Sequence, residues 1–252
     1  MKIQYCSDLH LEFKDNEAYL HKNPIIPEAD ILLLAGDIVP FTQIKNHTYF
    51  FDYLSKNFQY VYWIPGNHEY YHSDVEDYLS PFTQSIRKNV FLLNNQMVDH
   101  HGVNLIFSTL WSKISHQNEW NIERSVTDFY CIKIKGQKFT PMHFNHMHHT
   151  DLKFIMETVD AMKGGKNIVV THHVPTLINY PEPFLHSSVN EAFAVDLTNY
   201  IDTSAVDYWI YGHHHTNNPA FKIGNTEMLT NQLGYVRHNE HLYYRGSTCI
   251  EL

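Results

Sequence analysis

Five short polar clusters hold the side chains with the most chemical potential: Asp8-Leu9-His10, Gly36-Asp37, Gly66-Asn67-His68-Glu69, His172-His173 and Gly212-His213-His214-His215. Their Asp, Asn and His side chains supply the oxygen and nitrogen donors that suit divalent transition metals. In an extended segment residues i and i+2 point the same way. Read as extended chain, Asp8 and His10 address one point, and so do His213 and His215. Glycine precedes Asp37, Asn67 and His213, where it is expected to permit a tight turn. An aspartate can bridge two cations, which need a negative group between them to sit about 3.5–4 Å apart. In a chain with 20 histidines, most of these residues taken singly are better explained as a loop polar group or a satisfied core group. Their joint recurrence at matching positions is what points to a metal centre.

The positions match because each cluster follows a short apolar run. Ile3–Cys6, Ile31–Ala35, Tyr60–Ile64, Ile168–Val170 and Val206–Tyr211 are rich in β-branched and aromatic residues, as strands buried on both faces are. Ligands of open α/β sheets bind outside the carboxyl ends of such strands. Between the runs, residues 43–57, 72–88, 145–163 and 188–201 read as helical, the third ending before Gly164-Gly165. Residues 102–110 read as a further strand, and those from 220 onward as strands and hairpins. Alternating strands and helices predict an α/β layered fold. No linker or repeat divides residues 1–252, so a single domain is expected. Segment 111–150 is a possible cap excursion over the site, with a turn at Lys135-Gly136-Gln137.

Composition narrows the function classes. With 43% hydrophobic and 18% charged residues the chain is an ordinary globular one, not a disordered one. A net charge of −9 argues against a broad basic face for nucleic acid. Three cysteines form no CxxC pair, which predicts free thiols in a reducing compartment. No apolar stretch approaches the ~18 residues of a membrane span. The expectation is a soluble cytoplasmic protein.

The ordered set D-x-H, GD, GNHE, HH and GHxH resembles the calcineurin-like metallophosphoesterase superfamily, over residues 8 to 215. The resemblance implies a four-layer α/β/β/α sandwich of two mixed sheets and a binuclear site. It implies that Asp8, His10 and His215 hold one metal, that Asn67, His172 and His213 hold the other, and that Asp37 bridges them. It implies a hydrolase of phosphoric esters, phosphodiesterase or phosphomonoesterase, in which a metal-activated hydroxide attacks phosphorus. His68, not a ligand, would be its general acid or transition-state stabiliser. The cofactors would be two divalent ions of manganese, iron or zinc, and the partner a small phosphorylated substrate. Protein Ser/Thr phosphatases of this superfamily show GDxVDRG; here Gly36–Phe41 lacks the DRG, and Pro65-Gly66-Asn67-His68-Glu69 is similar to the bacterial phosphodiesterase-like and small phosphatase branches. Thr127-Asp128-Phe129, Phe139-Thr140-Pro141 and Asn231–Tyr235 resemble a group of uncharacterised bacterial members.

Two other readings compete. A metal-free protein-binding scaffold of the same fold predicts missing ligands, and none of those named is missing. A metal-dependent nuclease is weakened by the acidic chain. His173 and His214 are expected to point away from their ligand neighbours, to second positions around the metals, the substrate edge or solvent. His143, His146 and His149 suggest a third metal site, but a solvated helix start explains them better. His148 is a candidate pocket residue that Asp128 could orient. Tyr60, Tyr62 and Trp63 are expected in the core. Tyr70 and Tyr71 either pack or flank a substrate, and Pro181-Glu182-Pro183 is placed at the pocket rim.

Overall fold

The computed structural model describes all 252 residues. The first half of the chain runs β1 (Lys2–Cys6), α1 (Lys14–Lys22), β2 (Ile31–Ala35), α2 (Thr48–Asn57), β3 (Tyr60–Ile64), β4 (Phe82–Arg87) and β5 (Val90–Asn94). It then crosses through β6 (Gln96–His100) to β7 (Val103–Phe107). An excursion follows, made of α3 (Glu119–Ser125), α4 (Asp128–Cys131) and a small hairpin of β8 (Lys133–Ile134) and β9 (Gln137–Lys138). The long α5 (Pro141–Ala161) leads to β10 (Lys166–Val170), α6 (Glu182–Leu185), α7 (Thr198–Thr203) and β11 (Tyr208–Ile210). The chain ends with β12 (Phe221–Ile223), β13 (Thr226–Leu229) and β14 (Cys249–Glu251).

The main strands form two six-stranded mixed sheets, ordered β14-β1-β2-β3-β5-β4 and β12-β13-β11-β10-β7-β6. In each, four parallel strands are flanked by an antiparallel strand at either edge. The continuous apolar runs have a physical origin in the period of two along a strand. Ile31, Leu33 and Ala35 turn inward and join Ile3, Tyr5, Leu105, Phe107, Ile168 and Ile210 between the sheets. Leu32 and Leu34 turn outward to Phe51, Leu54, Val61 and Trp63 under α2. In the second sheet, Ile106, Val169 and Trp209 turn outward to Ile155 and Val159 of α5 and Ile201 of α7. Three apolar layers therefore separate four layers of secondary structure, the expected α/β/β/α sandwich.

Two expected helices differ. Residues 72–88 form a short 310 turn at Val75–Tyr78 and then β4. Pro81 lacks an N–H and stops a helix there, and β4, largely exposed, pairs with β5 at the sheet edge. Residues 188–201 form a 310 turn at Asn190–Ala192 and only then α7. Between them Val195 N donates to Val174 O and Leu197 N to Pro175 O, so tertiary pairing with the loop after β10 overrides the local helical period. The helix expected over 145–163 begins earlier, at Pro141. Thr140 caps it and accepts from the His143 backbone, while the His143 ring reaches back to the Thr140 N–H. No helix is long and apolar enough to cross a membrane, and all three cysteines are free.

Candidate metal centre

Every cluster lies where a parallel strand ends. Asp8 and His10 follow β1, Asp37 follows β2, Asn67 and His68 follow β3, His172 follows β10, and His213 and His215 follow β11. The segments carrying the D-x-H and H-x-H pairs are not extended, contrary to expectation. Asp8, His10, Asp37, His213 and His215 all have positive φ, between 48° and 79°. For non-glycine residues this costs about 1–2 kcal/mol each. Tertiary hydrogen bonds hold them there: Asp8 N donates to Gly36 O, His10 N to Asp37 O, and His213 N to Asp8 Oδ1. Convergence thus comes from coiled turns, not from the pleat of a strand.

The glycines also act differently from expectation. Only Gly36, at φ +88°, needs its conformational freedom. Gly66 and Gly212 are required for space. A Cβ on Gly66 would collide with Asp37 Oδ1 and lie 2.7 Å from His172 Nε2, and one on Gly212 would lie 2.6 Å from Asp8 Oδ2.

The side chains form two groups joined through Asp37. Its Oδ2 lies 3.7 Å from His10 Nε2, and its Oδ1 lies 3.4 Å from His172 Nε2. In the first group Asp8, His10, Asp37 and His215 converge, with His10 Nε2 and His215 Nε2 3.0 Å apart. In the second, His172 Nε2 lies 3.0 Å from His213 Nδ1 and 3.3 Å from Asn67 Oδ1.

The hydrogen-bond network fixes the tautomers. His10 Nδ1 faces Glu12 Oε1 at 3.1 Å and His215 Nδ1 faces Glu240 Oε2 at 2.7 Å, so each ring donates its proton outward. His172 Nδ1 likewise donates to Ala35 O. In the neutral rings their Nε2 lone pairs then point at one another and at carboxylate oxygens, an arrangement that only a proton or a cation relieves. Asp37 Oδ2 and His213 Nε2 are buried without any partner. Such an arrangement is unfavourable unless positive charge enters it. The ionisation tendencies agree. Burial opposes charge on His215 and His172, yet Asp8 and Glu240 push His215 up to about 10, and Asp37 pushes His172 up to about 9. The donor set fits divalent cations: oxygen and imidazole atoms within 4.8 Å of one another.

His68 lies beside both groups. Its backbone N donates to Asp37 Oδ1 at 2.9 Å, and its Nδ1 faces Glu12 Oε1 at 2.8 Å. One Glu12 oxygen therefore braces both His10 and His68. Nε2 is left facing the Tyr235 hydroxyl at 3.4 Å, and the ring stacks on Tyr71 at 4.2 Å. Asn67 Nδ2 and the Tyr71 hydroxyl both donate to Asp128 Oδ1 at 2.8 Å, which turns the Asn67 carbonyl oxygen toward His172.

Several sequence-based roles need correction. Asp128 orients Asn67, not His148. His148 is buried, with Nδ1 2.6 Å from Trp111 O, and does not line the cavity. His173 is not solvent-exposed: it is fully buried against Trp111, Phe144 and His213, with both ring nitrogens unpartnered. His214 lines the cavity and bonds Gln232 Nε2 at 2.8 Å. His143, His146 and His149 join no potential metal group. Sequence reasoning missed Glu12, whose signal is its place two residues after His10, and Glu240, which has no local signal. It quoted Glu69 without a role. That fully buried carboxylate accepts from Asp37 N, Ile38 N, Gly66 N and Trp63 Nε1, and so ties the second and third turns together.

Above the groups opens a cavity of about 790 Å³, walled partly by residues 125–128 of the excursion and by residues 180–193. Paired His/Asp groups sharing an aspartate, at the strand ends of an α/β/β/α sandwich, define the metallophosphoesterase class of site. Residues 1–217 match the calcineurin-like phosphoesterase family model, and the chain belongs to that family. It is 31% identical over 260 aligned positions to the uncharacterized protein L509 of Acanthamoeba polyphaga mimivirus, covering 92% of this chain and 91% of that protein. An uncharacterized metallophosphoesterase of Helicobacter pylori is 32% identical over 109 residues, 42% of this chain and 28% of its own length. Among solved structures, the phosphopantetheinyl hydrolase PptH of Mycobacterium tuberculosis shares the fold, with a TM-score of 0.70 at 18% identity, covering 94% of this chain and 90% of that one.

Proposed function

We propose that this protein hydrolyses phosphoric esters with two divalent cations, one held by Asp8, His10 and His215, the other by Asn67, His172 and His213, with Asp37 shared. The observation that carries the reading is the division of the Asp37 oxygens between two buried groups of converging imidazole and carboxylate atoms. Bound there, such cations supply a water of lowered pKa and neutralise charge on a phosphoryl group. Manganese, iron and zinc all suit the donors.

The chain's own residues do the rest. Glu12 holds Nδ1 of His68, so Nε2 is the atom that meets the cavity. Burial opposes charge on His68, but Asp37 and Glu12 raise its pKa. A protonated Nε2 can then deliver a proton to a leaving alkoxide, whose charge would otherwise rise uncompensated. The Tyr235 hydroxyl beside it can take up a hydrogen bond as the ring changes charge. Residues 1–252 act together as one catalytic domain in this reading, with segments 111–150 and 176–190 capping a small phosphorylated substrate. The free thiols suit the cytoplasm. The fold neighbour's name adds a phosphopantetheinyl ester to the substrates worth assaying.

The test combines metal content with turnover. Chelated protein, reloaded with manganese, is assayed on bis(p-nitrophenyl) phosphate and p-nitrophenyl phosphate beside Asp37→Asn and His68→Ala. The expected result is two bound metals and restored turnover in wild type, lost metal in Asp37→Asn, and retained metal with lost turnover in His68→Ala. Protein that binds no metal and turns over neither ester would refute the reading and favour a scaffold.

A further inference from the structure

Beside the cavity over the metal groups lies a smaller depression of about 140 Å³, lined by Phe13, Asp15, Asn16, Tyr235 and Arg237. Phe13 and Tyr235 line both, so their rings, 5.3 Å apart and edge to face, form the rim between the two. On the cavity side the Tyr235 ring lies 4.5 Å from His215 and 4.8 Å from His10, both in the first metal group. On the far side stands Arg237, two residues further along the chain. Two residues span at most about 7 Å. One small substrate can therefore meet the first metal group and Arg237 together.

The turn that carries Arg237 is fixed to the metal centre. Gly234 N donates to Asp8 O, and Tyr235 N donates to the Glu240 oxygen that faces His215 Nδ1. The buried Asn16 donates from Nδ2 to Leu9 O and Gly234 O and accepts from Val236 N. Three successive residues before Arg237 are thus tied down, which holds its Cα in place relative to the metal ligands. The guanidinium itself is exposed and forms no ion pair; its one hydrogen bond runs from Nε to His238 Nε2 at 3.1 Å. Both terminal NH2 groups are free to fork onto a carboxylate or a phosphate. The depression, several times the ~30 Å³ share of one water, admits such a group. Asp15, the one carboxylate in its lining, opposes an anion from an exposed position, where solvent weakens its effect.

We infer that Arg237 forms a subsite for a second anionic group of the substrate, a carboxylate or a phosphate carried on the organic part of the phosphoric ester a few bonds from the scissile phosphorus. The inference rests on the phosphoesterase reading above. The Phe13–Tyr235 rim then underlies the organic part. The test is calorimetric binding to the full chain loaded with manganese, at low ionic strength, where surface charge is least screened. The probes are three phenylphosphonates whose para substituent is a carboxylate, a second phosphonate, or a neutral carbamoyl group shaped like the carboxylate. Each is titrated into wild type, Arg237→Gln and Asp15→Asn, with turnover of bis(p-nitrophenyl) phosphate followed alongside.

At least one anionic probe should bind wild type about three- to tenfold tighter than the carbamoyl probe. The tighter of the two identifies the group that the subsite takes. Arg237→Gln should bring that ratio to about one, and Asp15→Asn should widen it. Equal affinity of all three probes for wild type would overturn the inference. So would a ratio that survives Arg237→Gln, because the metals themselves would then be reading the second charge. A ratio narrowed by Asp15→Asn would place the anion outside this depression and overturn the assignment. Any of these results with diester turnover intact would overturn the subsite alone. Absence of both bound metal and turnover would overturn the phosphoesterase reading and the subsite with it.

Discussion

Replacing Glu69 by glutamine tests whether this carboxylate holds the turns of the site together. Its Oε1 accepts from Ile38 N at 2.6 Å and Trp63 Nε1 at 3.1 Å; its Oε2 accepts from Gly66 N at 2.6 Å and Asp37 N at 2.9 Å. Glutamine keeps one acceptor oxygen and sets an NH2 group against the remaining donors. Two buried N–H groups then lose their acceptor, at about 1–3 kcal/mol each, so Glu69→Gln should lose about 2–6 kcal/mol. An opposing effect exists: burial, followed by the charge of Asp37, raises the Glu69 pKa, and a neutral side chain relieves that strain. The donors should win, because a carboxylic proton on Glu69 would point only at other donors. Denaturant unfolding of chelated protein, followed through tryptophan fluorescence, measures the difference without metal linkage. A variant within about 0.5 kcal/mol of wild type, the range of an ordinary surface change, or one more stable, would refute the reasoning.

Three further outcomes are expected. Glu12→Gln, assayed at saturating manganese because Glu12 also braces His10, should lose about 10–100-fold in kcat, with a greater loss on alkyl esters than on p-nitrophenyl esters, whose leaving groups need no proton; equal losses on both would show that Glu12 does not act through His68. Gly66→Ala should weaken metal binding in calorimetric titration, because its Cβ collides with the Asp37 carboxylate and the His172 ring; unchanged affinity would mean that the turn can move aside. Burial raises the Asp151 carboxyl from an ordinary 3.8 to about 7. The unfolded chain therefore gives up this proton first, and stability is lost as pH rises from about 4 to about 7, up to about 4 kcal/mol. The stability of Asp151→Asn relative to wild type should rise across that window in chelated protein and level off above it; a flat difference would show that Asp151 ionises normally.

Much of the architecture was legible because strands buried on both faces write themselves as unbroken apolar runs. Ile31–Ala35 and Tyr60–Ile64 could be placed from such runs, and the polar residues after them fell at the strand ends. The α5 start at Thr140-Pro141 is written just as locally, in its cap and its proline, although the helical period placed the helix only from residue 145. The β4 strand was not legible, since an exposed edge strand carries no apolar pattern and is defined by its partner β5. Residues 193–197 showed a helical period but pair with Val174 and Pro175, a contact that no local window contains.

The sequence by itself determined the donor types, their order and their placement past successive strands, because each of these is written in neighbouring residues. Tertiary structure alone decided how the donors converge. His10 meets His215 across 205 residues, Glu240 reaches back 25 residues to His215, and Glu69 reaches 32 residues to the Asp37 turn. Left-handed backbone at Asp8, His10 and Asp37 persists only because distant amides and carbonyls hold it. The absence of lysine and arginine from the cavity wall is likewise a property of surfaces brought together by folding, for the chain as a whole carries 18 of them and none lines that wall.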